Sequence, residues 1–253
     1  MSEHQQPTPK RTDSAIALQE EEQLTTTPPA KTRSSSAQML LSEAILTRHS
    51  SRLYLPQPVP QEILTHALTL AAHAPSNTNT QAWRLFVVTG SALSRLKTSL
   101  VAAATTTEPN LPPLPASFDE YRSALGRQVF GVGWGIPHDD HEARRAAVLR
   151  NYDFFGAPAA VIVCMSAELE GVEAFSVGMY LQTFLLALTE AGVGSCVEIS
   201  VAGYSDVVKK EVGIPEDLVV LCGVAVGFED GMAGVNRIRA GRDEVAQTTV
   251  WVQ

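Results

Sequence analysis

Two arginines that flank a histidine and two serines form the first group of residues able to do chemistry. The segment runs Arg48, His49, Ser50, Ser51, Arg52. Guanidinium groups carry fixed, charged donors that match the oxygens of a phosphate group, so the segment is a candidate anion site. The alternative is a basic helix C-terminus whose charges complement the helix dipole. These five residues by themselves leave both interpretations open.

A run of uncharged polar side chains, Ser76 to Gln81, forms the second group. It lies between Pro75, which stops a helix, and an apolar strand-like segment. Amide and hydroxyl groups both donate and accept hydrogen bonds, so the run can bind the edge of a heteroaromatic ring or a polyol. A loop of this composition can equally satisfy its own backbone.

Three arginines near the C-terminus, Arg237, Arg239 and Arg242, form the third group. They can complete an anion site or lie on a solvated surface. Three arginines are too short a pattern to decide between an anion site and a solvated surface.

Two other patterns are weaker. His138 and His141 can share one helix face, but the acidic residues beside them are more typical of a helix start capped by Asp139. The segment Gly131–Ile136 resembles a dinucleotide-binding fingerprint, yet it has Ile136 at the third glycine position and no strand before it. We therefore predict neither a metal site nor a dinucleotide fold.

Helices and strands must position these groups. Periodic patterns and cap signals predict a first helix over Ala37–Thr47, with Leu41, Ala44 and Ile45 on its inward face and a cap from Ser34–Ser36. Further helices are predicted from Pro60 to Pro75, after Ser91, near 118–130, near 139–153 and over Asp206–Val212. The segment Gly171–Ala191 is predicted to be a helix that is apolar around most of its circumference. Apolar runs predict strands over Trp83–Val88, Ala159–Cys164 and Leu218–Phe228. This order indicates one α+β domain over residues 37–253.

Composition limits the class of protein. The 27 acidic and 19 basic residues give a formal charge of −8, which argues against general nucleic-acid binding. Residues 1–36 are rich in Ser, Thr, Pro and Gln, which predicts a disordered N-terminal tail. Three widely spaced cysteines suit free thiols in a reducing compartment, and no run of ~20 consecutive apolar residues is present. We expect a cytoplasmic protein with no membrane partner.

Taken in order, the motifs resemble the FMN-dependent nitroreductase family over roughly residues 38–248. The matching segments are Arg48–Arg52, Pro58–Pro60, Ala74–Arg84, Phe154–Pro158, Ala191–Cys196, Gly213–Glu216 and Asn236–Arg242. Ala82 stands where the family commonly has proline, a departure that leaves the hydrogen-bonding groups in place.

The resemblance implies a homodimer with two FMN sites at the subunit interface, and a mostly antiparallel central sheet flanked by helices. The residues implied to hold the FMN phosphate and ribityl chain are Arg48, His49 (through its main chain), Ser50, Arg52, Arg239 and Arg242. Those implied to reach the flavin from the other subunit are Pro75, Ser76, Asn77, Asn79 and Gln81. Those implied to run past the isoalloxazine are Val197, Glu198, Ile199 and Ser200, with the Ile199 main chain near N5. The apolar helix Gly171–Ala191 would then be an interface helix.

The implied activity is ping-pong transfer of hydride from NADH or NADPH to flavin N5, and then to an electron-poor acceptor such as a nitroaromatic or a quinone. The flavin would carry the redox chemistry, so no protein nucleophile is expected. Two alternatives stay open: an FMN-dependent dehydrogenase or oxidase of a metabolite, and a non-enzymatic flavin-binding regulatory protein. The role of Leu111–Ile136 is open too, since Arg122, Phe130 and Trp134 can line a pocket or serve the surface and core.

Overall fold

Four apolar segments pair into one antiparallel sheet in the computed structural model, which describes residues 39–253. The strands are β1 Trp83–Thr89, β2 Ala159–Ser166, β3 Gly194–Glu198 and β4 Leu218–Gly227. Their order is β1-β2-β4-β3, and each neighbouring pair is antiparallel. The three predicted strands are confirmed to within two residues, but β3 was missed by the sequence patterns. The predicted tail and the Ser34–Ser36 cap lie outside the described residues.

Helices cover both faces of the sheet. Their bounds are α1 Leu41–Thr47, α2 Gln61–Ala71, α3 Gly90–Thr106, α4 Asp119–Gly126, α5 His141–Leu149, α6 Gly171–Glu190, α7 Ser205–Val212 and α8 Val245–Thr248. A π-helical turn, Arg127–Gly133, continues α4. The mostly antiparallel α+β fold expected from the resemblance is therefore confirmed.

The central strand β2 is apolar throughout because both of its faces are covered. Ala160, Ile162 and Cys164 point into one core, which also contains Leu96 and Leu100 of α3. The alternate residues of β2 point into a second core with α2 and α6. Burial on both sides removes the alternation of polar and apolar residues that a half-exposed strand shows.

The first helix is confirmed as a helix, but its predicted inward face is wrong. Only Ala44 is buried, whereas Leu41 and Ile45 are 68% and 51% exposed. No part of the chain that the structure describes covers these two side chains. The prediction failed because periodicity identifies an apolar face but not the surface that it meets.

Helix α6 has a buried face and an open face. Val177, Tyr180, Phe184 and Leu188 lie in the core, while Phe175 is 72% exposed. By length and composition α6 would also qualify as a membrane-spanning helix, a property that the core helices of water-soluble proteins share. Its buried face packs on α2 and on the sheet, so α6 is built into the domain.

Candidate functional site

The segment Arg48–Arg52 leaves α1 as extended chain and lies along β3. Ser50 forms a parallel bridge with Ser195, and the Ser51 N–H donates to the Ser195 carbonyl at 3.0 Å. Gly194 permits this approach, because a Cβ there would lie 2.6 Å from Ser51 Oγ. Gly192, with φ of 74°, ends α6. Arg48 is therefore the C-cap of α1, and the residues that follow it form a short strand-like edge beside β3.

Asn236 locks this edge to the C-terminal part of the chain. Its Oδ1 accepts from the backbone N–H groups of Arg52 (2.7 Å) and Leu53 (3.2 Å). Its Nδ2 donates to the carbonyls of Leu53 (2.7 Å) and Asp230 (2.9 Å). The side chain is only 3% exposed, so these four contacts use its full hydrogen-bonding capacity away from water.

Four arginines line one cavity at this edge. A cavity of about 410 Å³ contains two from the basic segment, Arg48 and Arg52, and two from the C-terminal segment, Arg239 and Arg242. His49 and Ser50 also line it, as does Leu125 of α4. We call this cavity the arginine pocket. The six residues implied to hold a phosphate and a ribityl chain are therefore brought together, although they lie nearly 200 positions apart in the chain.

Glu229 balances part of this positive charge. Its Oε2 accepts from Ser51 Oγ at 2.7 Å and lies 2.8 Å from His49 Nε2. The other His49 ring nitrogen, Nδ1, lies 2.9 Å from the Thr47 carbonyl, which is also an acceptor. Burial raises the pKa of Glu229, but the contacts with His49 and Ser51 outweigh burial and hold the pKa below its usual value. An ionised Glu229 thus orients His49 and Ser51 beside the arginine pocket.

The third implied group lies at the end of β3 and in the turn after it. Glu198 is 3% exposed, whereas Ile199 is 58% exposed and Ser200 is partly buried. Neither Glu198 Oε1 nor Ser200 Oγ has a hydrogen-bond partner among the described residues. Burial raises the pKa of Glu198 to about 7, although Cys196 and the Arg52 guanidinium act in the opposite direction. Glu198 therefore presents an unused polar atom within electrostatic reach of Arg52, whereas Ser200 does not line the arginine pocket.

The second implied group does not enter the arginine pocket of its own chain. Pro75, Asn77, Asn79 and Gln81 are exposed and Ser76 is partly buried. The loop is tied to α6, because the Asn77 backbone N–H donates to Ser176 Oγ at 3.2 Å and its Nδ2 to Glu173 at 3.2 Å.

The backbone of this polar loop is strained. Thr78, Asn79 and Gln81 all have positive φ angles, of 50°, 58° and 46°. Each such conformation costs a non-glycine residue roughly 1–2 kcal/mol. Strain of this kind persists where the surroundings impose it, which is common at ligand sites. The loop is thus held in a special conformation with its polar side chains outward.

Sequence patterns missed several residues of the site. Glu229 and Leu125 were not singled out, and Ser51 and Asn236 were named only as members of longer segments. One signal for Glu229 exists, since it is a carboxylate that directly follows the apolar run of β4. Among residues 39–253, no group of three or more His, Cys, Asp or Glu side chains is arranged to hold a metal ion.

Comparison with known proteins identifies a family with this sequence pattern. Residues 45–228 match the model of the nitroreductase family. A nitrobenzene nitroreductase from Ectopseudomonas oleovorans is 30% identical over 224 residues, covering 84% of this chain and 96% of that protein. The nitroreductase NfnB of Mycolicibacterium smegmatis is 33% identical over 208 residues, covering 80% and 88%.

Solved structures agree. The FMN-dependent NfnB from Mycobacterium smegmatis in complex with NADPH superimposes with a TM-score of 0.78 at 31% identity, covering 84% of this chain and 97% of that one. The FMN- and NADPH-dependent NfnB from a Sphingopyxis strain gives a TM-score of 0.81 at 29% identity, covering 85% and 100%. With a family match over most of its length and this fold, the chain belongs to the nitroreductase family.

Proposed function

We propose that the chain is an FMN-dependent oxidoreductase that takes hydride from NADH or NADPH and reduces an electron-poor small molecule such as a nitroaromatic or a quinone. The observation that carries the proposal is the arginine pocket. A chain with a net charge of −8 gathers four guanidinium groups from two distant segments into one cavity. Such a cluster is matched to a phosphate group.

The residues present fit FMN by their chemistry. The arginine pocket offers charged donors to the phosphate, and Ser50 adds a hydroxyl group suited to a ribityl chain. Glu198 Oε1 and Ser200 Oγ are buried without partners among residues 39–253, and buried polar atoms are normally hydrogen-bonded. A polar ligand beside the end of β3 would satisfy them.

Each part of the site has a distinct task in this proposal. Arg48, Arg52, Arg239 and Arg242 bind the phosphate, and Asn236 holds the Arg52 backbone so that the donors need little reorganisation. Glu229 keeps His49 and Ser51 oriented. The segment Val197–Ser200 would border the ring system, and the Ile199 main-chain N–H would be a donor to it. The flavin, when bound, supplies the hydride transfer itself.

A homodimer is part of the proposal, because no residue of the polar loop Pro75–Gln81 lines the arginine pocket of its own chain. In a dimer, Pro75, Ser76, Asn77, Asn79 and Gln81 would complete the partner's site. Exposed apolar side chains on α1 and α6, including Leu46 (80% exposed) and Phe175 (72% exposed), supply a surface for the contact. A cytoplasmic location is proposed with it, since the three cysteines are free and buried and NAD(P)H is a cytoplasmic reductant.

The activity is tested on the purified protein. We expect a yellow protein whose flavin absorbance bleaches with NADH or NADPH under anaerobic conditions and returns on addition of a nitroarene or a quinone. Bound FMN that neither nicotinamide reduces would favour a metabolite dehydrogenase or oxidase, or a regulatory flavoprotein. A protein that binds no FMN at all would refute the proposal.

The phosphate site is tested by removing two of its guanidiniums. Arg48→Ala combined with Arg52→Ala should weaken FMN binding by at least about a hundredfold, because charge-assisted hydrogen bonds are worth roughly 1.5–3 kcal/mol each. The measurement is the FMN dissociation constant, from quenching of flavin fluorescence. The control, Arg95→Ala with Arg145→Ala, removes the same charge from α3 and α5 and should leave the constant unchanged. Stoichiometric flavin in the first double variant would contradict the assignment.

A further inference from the structure

A second basic cavity lies beside α4, outside the arginine pocket. Its volume is about 530 Å³, and α4, the π-helical turn and the start of α5 form its walls. We call it the basic cavity. The side chains that line it are Arg122, Ser123, Arg127, Phe130, His138 and Arg144. Four of these six can carry positive charge, and none is acidic.

The charges of the basic cavity are poorly balanced by the protein. Arg122 pairs with Asp119 at 2.8 Å, one helical turn away. Within residues 39–253, neither Arg127 nor Arg144 has a carboxylate within 4 Å. The chain has 27 acidic residues, so a shortage of partners does not explain this arrangement. Like charges held together without a counterion repel one another, and an anionic ligand would relieve that repulsion.

The geometry of Arg144 leaves its donors available. Its guanidinium carbon lies 4.6 Å from the centre of the Phe130 ring. A guanidinium that stacks on an aromatic face keeps its N–H groups in the plane, free for a phosphate group. Phe130 is partly exposed, so the cavity combines an aromatic surface with phosphate donors. Its volume lies within the range typical of small-molecule sites, about 300–1,000 Å³.

The basic cavity adjoins the arginine pocket. Leu125 lines the arginine pocket, while its neighbours Ser123 and Gly126 line the basic cavity, so the two cavities share α4. The Tyr121 hydroxyl of α4 donates to Asp243 at 2.6 Å, next to Arg242.

The π-helical turn is anchored to the same part of the chain. A Cβ at Gly133 would lie 3.0 Å from the Cα of Val235, the neighbour of Asn236. The turn that carries Arg127 therefore packs tightly against the segment that locks the Arg52 backbone. A ligand that reaches both cavities would pass over α4, which this packing holds in place.

We infer that the basic cavity binds the adenosine 2′-phosphate end of NADPH and so makes NADPH the preferred electron donor. The inference rests on the proposed function. A 2′-phosphate presents oxygens to Arg127 and Arg144, and the adenine has an aromatic neighbour in Phe130. NADH carries a hydroxyl at the same position, so its binding would leave both guanidiniums without a charged partner. The 2′-phosphate is thus the group by which the basic cavity would distinguish NADPH from NADH.

The first test compares the two donors in the holoenzyme. Stopped-flow reduction of the bound flavin gives the dissociation constant of each nicotinamide. We expect the wild-type protein to bind NADPH more tightly, and Arg127→Ala to weaken NADPH binding at least about tenfold while NADH binding is unchanged. Arg127 is exposed, so its removal should leave the fold intact. The control Arg145→Ala removes the same charge from α5 outside the cavity.

The second test does not depend on activity. Calorimetric titration of the protein with 2′-AMP should show binding that Arg127→Ala abolishes, whereas 5′-AMP should bind much more weakly to either protein. Equal affinity for the two nucleotides would overturn the inference, as would equal weakening of NADPH and NADH binding in Arg127→Ala. A loss of affinity for 4-nitrobenzoate but not for NADPH would overturn it too, because the cavity would then serve an acceptor carboxylate.

The two proposals fail separately. If neither nicotinamide reduces the bound flavin, the proposed function is wrong, and the nucleotide titration still decides whether the basic cavity recognises a 2′-phosphate. If both nicotinamides reduce the flavin equally well in the wild type and in Arg127→Ala, the proposed function stands and the assignment of the basic cavity falls.

Discussion

Glu198 is an acidic residue in a buried environment. A carboxyl group that is 3% exposed, with one oxygen unpartnered among the described residues, is costly to ionise. Burial raises its pKa to about 7, with Cys196 and Arg52 opposing the shift. In the unfolded chain a glutamate ionises near pH 4.3. Folding is therefore penalised as the pH rises from about 4.5 to about 7, and the penalty is constant above that range.

Glu198→Gln removes this titration while keeping the shape of the side chain. We expect the variant to gain stability relative to the wild type as the pH rises from 5 to 7, by about 2 kcal/mol over that range. Urea unfolding of the FMN-free proteins at equal concentration measures the difference at each pH. In the difference between the two proteins, the contributions of the other titrating groups to the free energy of unfolding cancel. One of these groups is Glu229, whose lowered pKa changes stability with pH in the opposite direction. A difference that does not vary with pH would show that Glu198 is already ionised at pH 5.

At the scale of elements, the site depends on a connection between two segments that are far apart in the chain. The extended segment Arg48–Tyr54 lies between β3 and the chain that follows β4, where the Leu55 N–H donates to Phe228 at 2.8 Å. Asn236 is the side chain that joins them. Removal of a buried group with four satisfied partners leaves backbone donors and acceptors without hydrogen bonds, at about 1–3 kcal/mol for each group that water cannot reach.

Asn236→Ala should therefore lower the free energy of unfolding by about 3 kcal/mol and weaken FMN binding at least about fivefold, since Arg52 loses its support. Denaturant unfolding and an FMN titration measure the two effects. Asn151→Ala is the matched control, because that amide makes a single contact, to the Val148 carbonyl at 2.6 Å. It should cost no more than about 1 kcal/mol and leave FMN binding unchanged. Similar losses in both variants would remove the special role given to Asn236.

At the scale of the whole molecule, the described chain leaves apolar surface uncovered. Leu40, Leu41, Leu46 and Phe175 are each more than 60% exposed, and α1 lies against α6. Exposed apolar groups that adjoin one another mark contact surfaces. The proposed homodimer would cover them and, in the same step, bring the polar loop of one subunit to the arginine pocket of the other.

Phe175→Asp should separate the proposed dimer into monomers, because it places an unpaired charge in the contact. Analytical ultracentrifugation should show a species of twice the chain mass for the wild type and of one chain mass for the variant. The variant should also lose FMN, since the polar loop of the partner would be missing from each site. Val148→Asp, on an exposed position of α5, is the control and should remain dimeric. A wild-type monomer that retains FMN would refute the shared site.

The sequence by itself determined the arginine clusters, the polar loop and most of the helices and strands. These features follow from residue type and from local periodicity, as with the apolar run of β2 or the left-handed Gly213 after α7. The tertiary structure alone decided the rest. Strand β3 is short and partly polar, and it exists because β4 and Ser50 pair with its backbone. The raised pKa of Glu198 depends on burial by the surrounding fold, and three of the four contacts of Asn236 are made to groups far away in the chain. Local sequence does not show which side chains are buried or which distant residues they contact. Burial and these contacts determine the chemistry of the site.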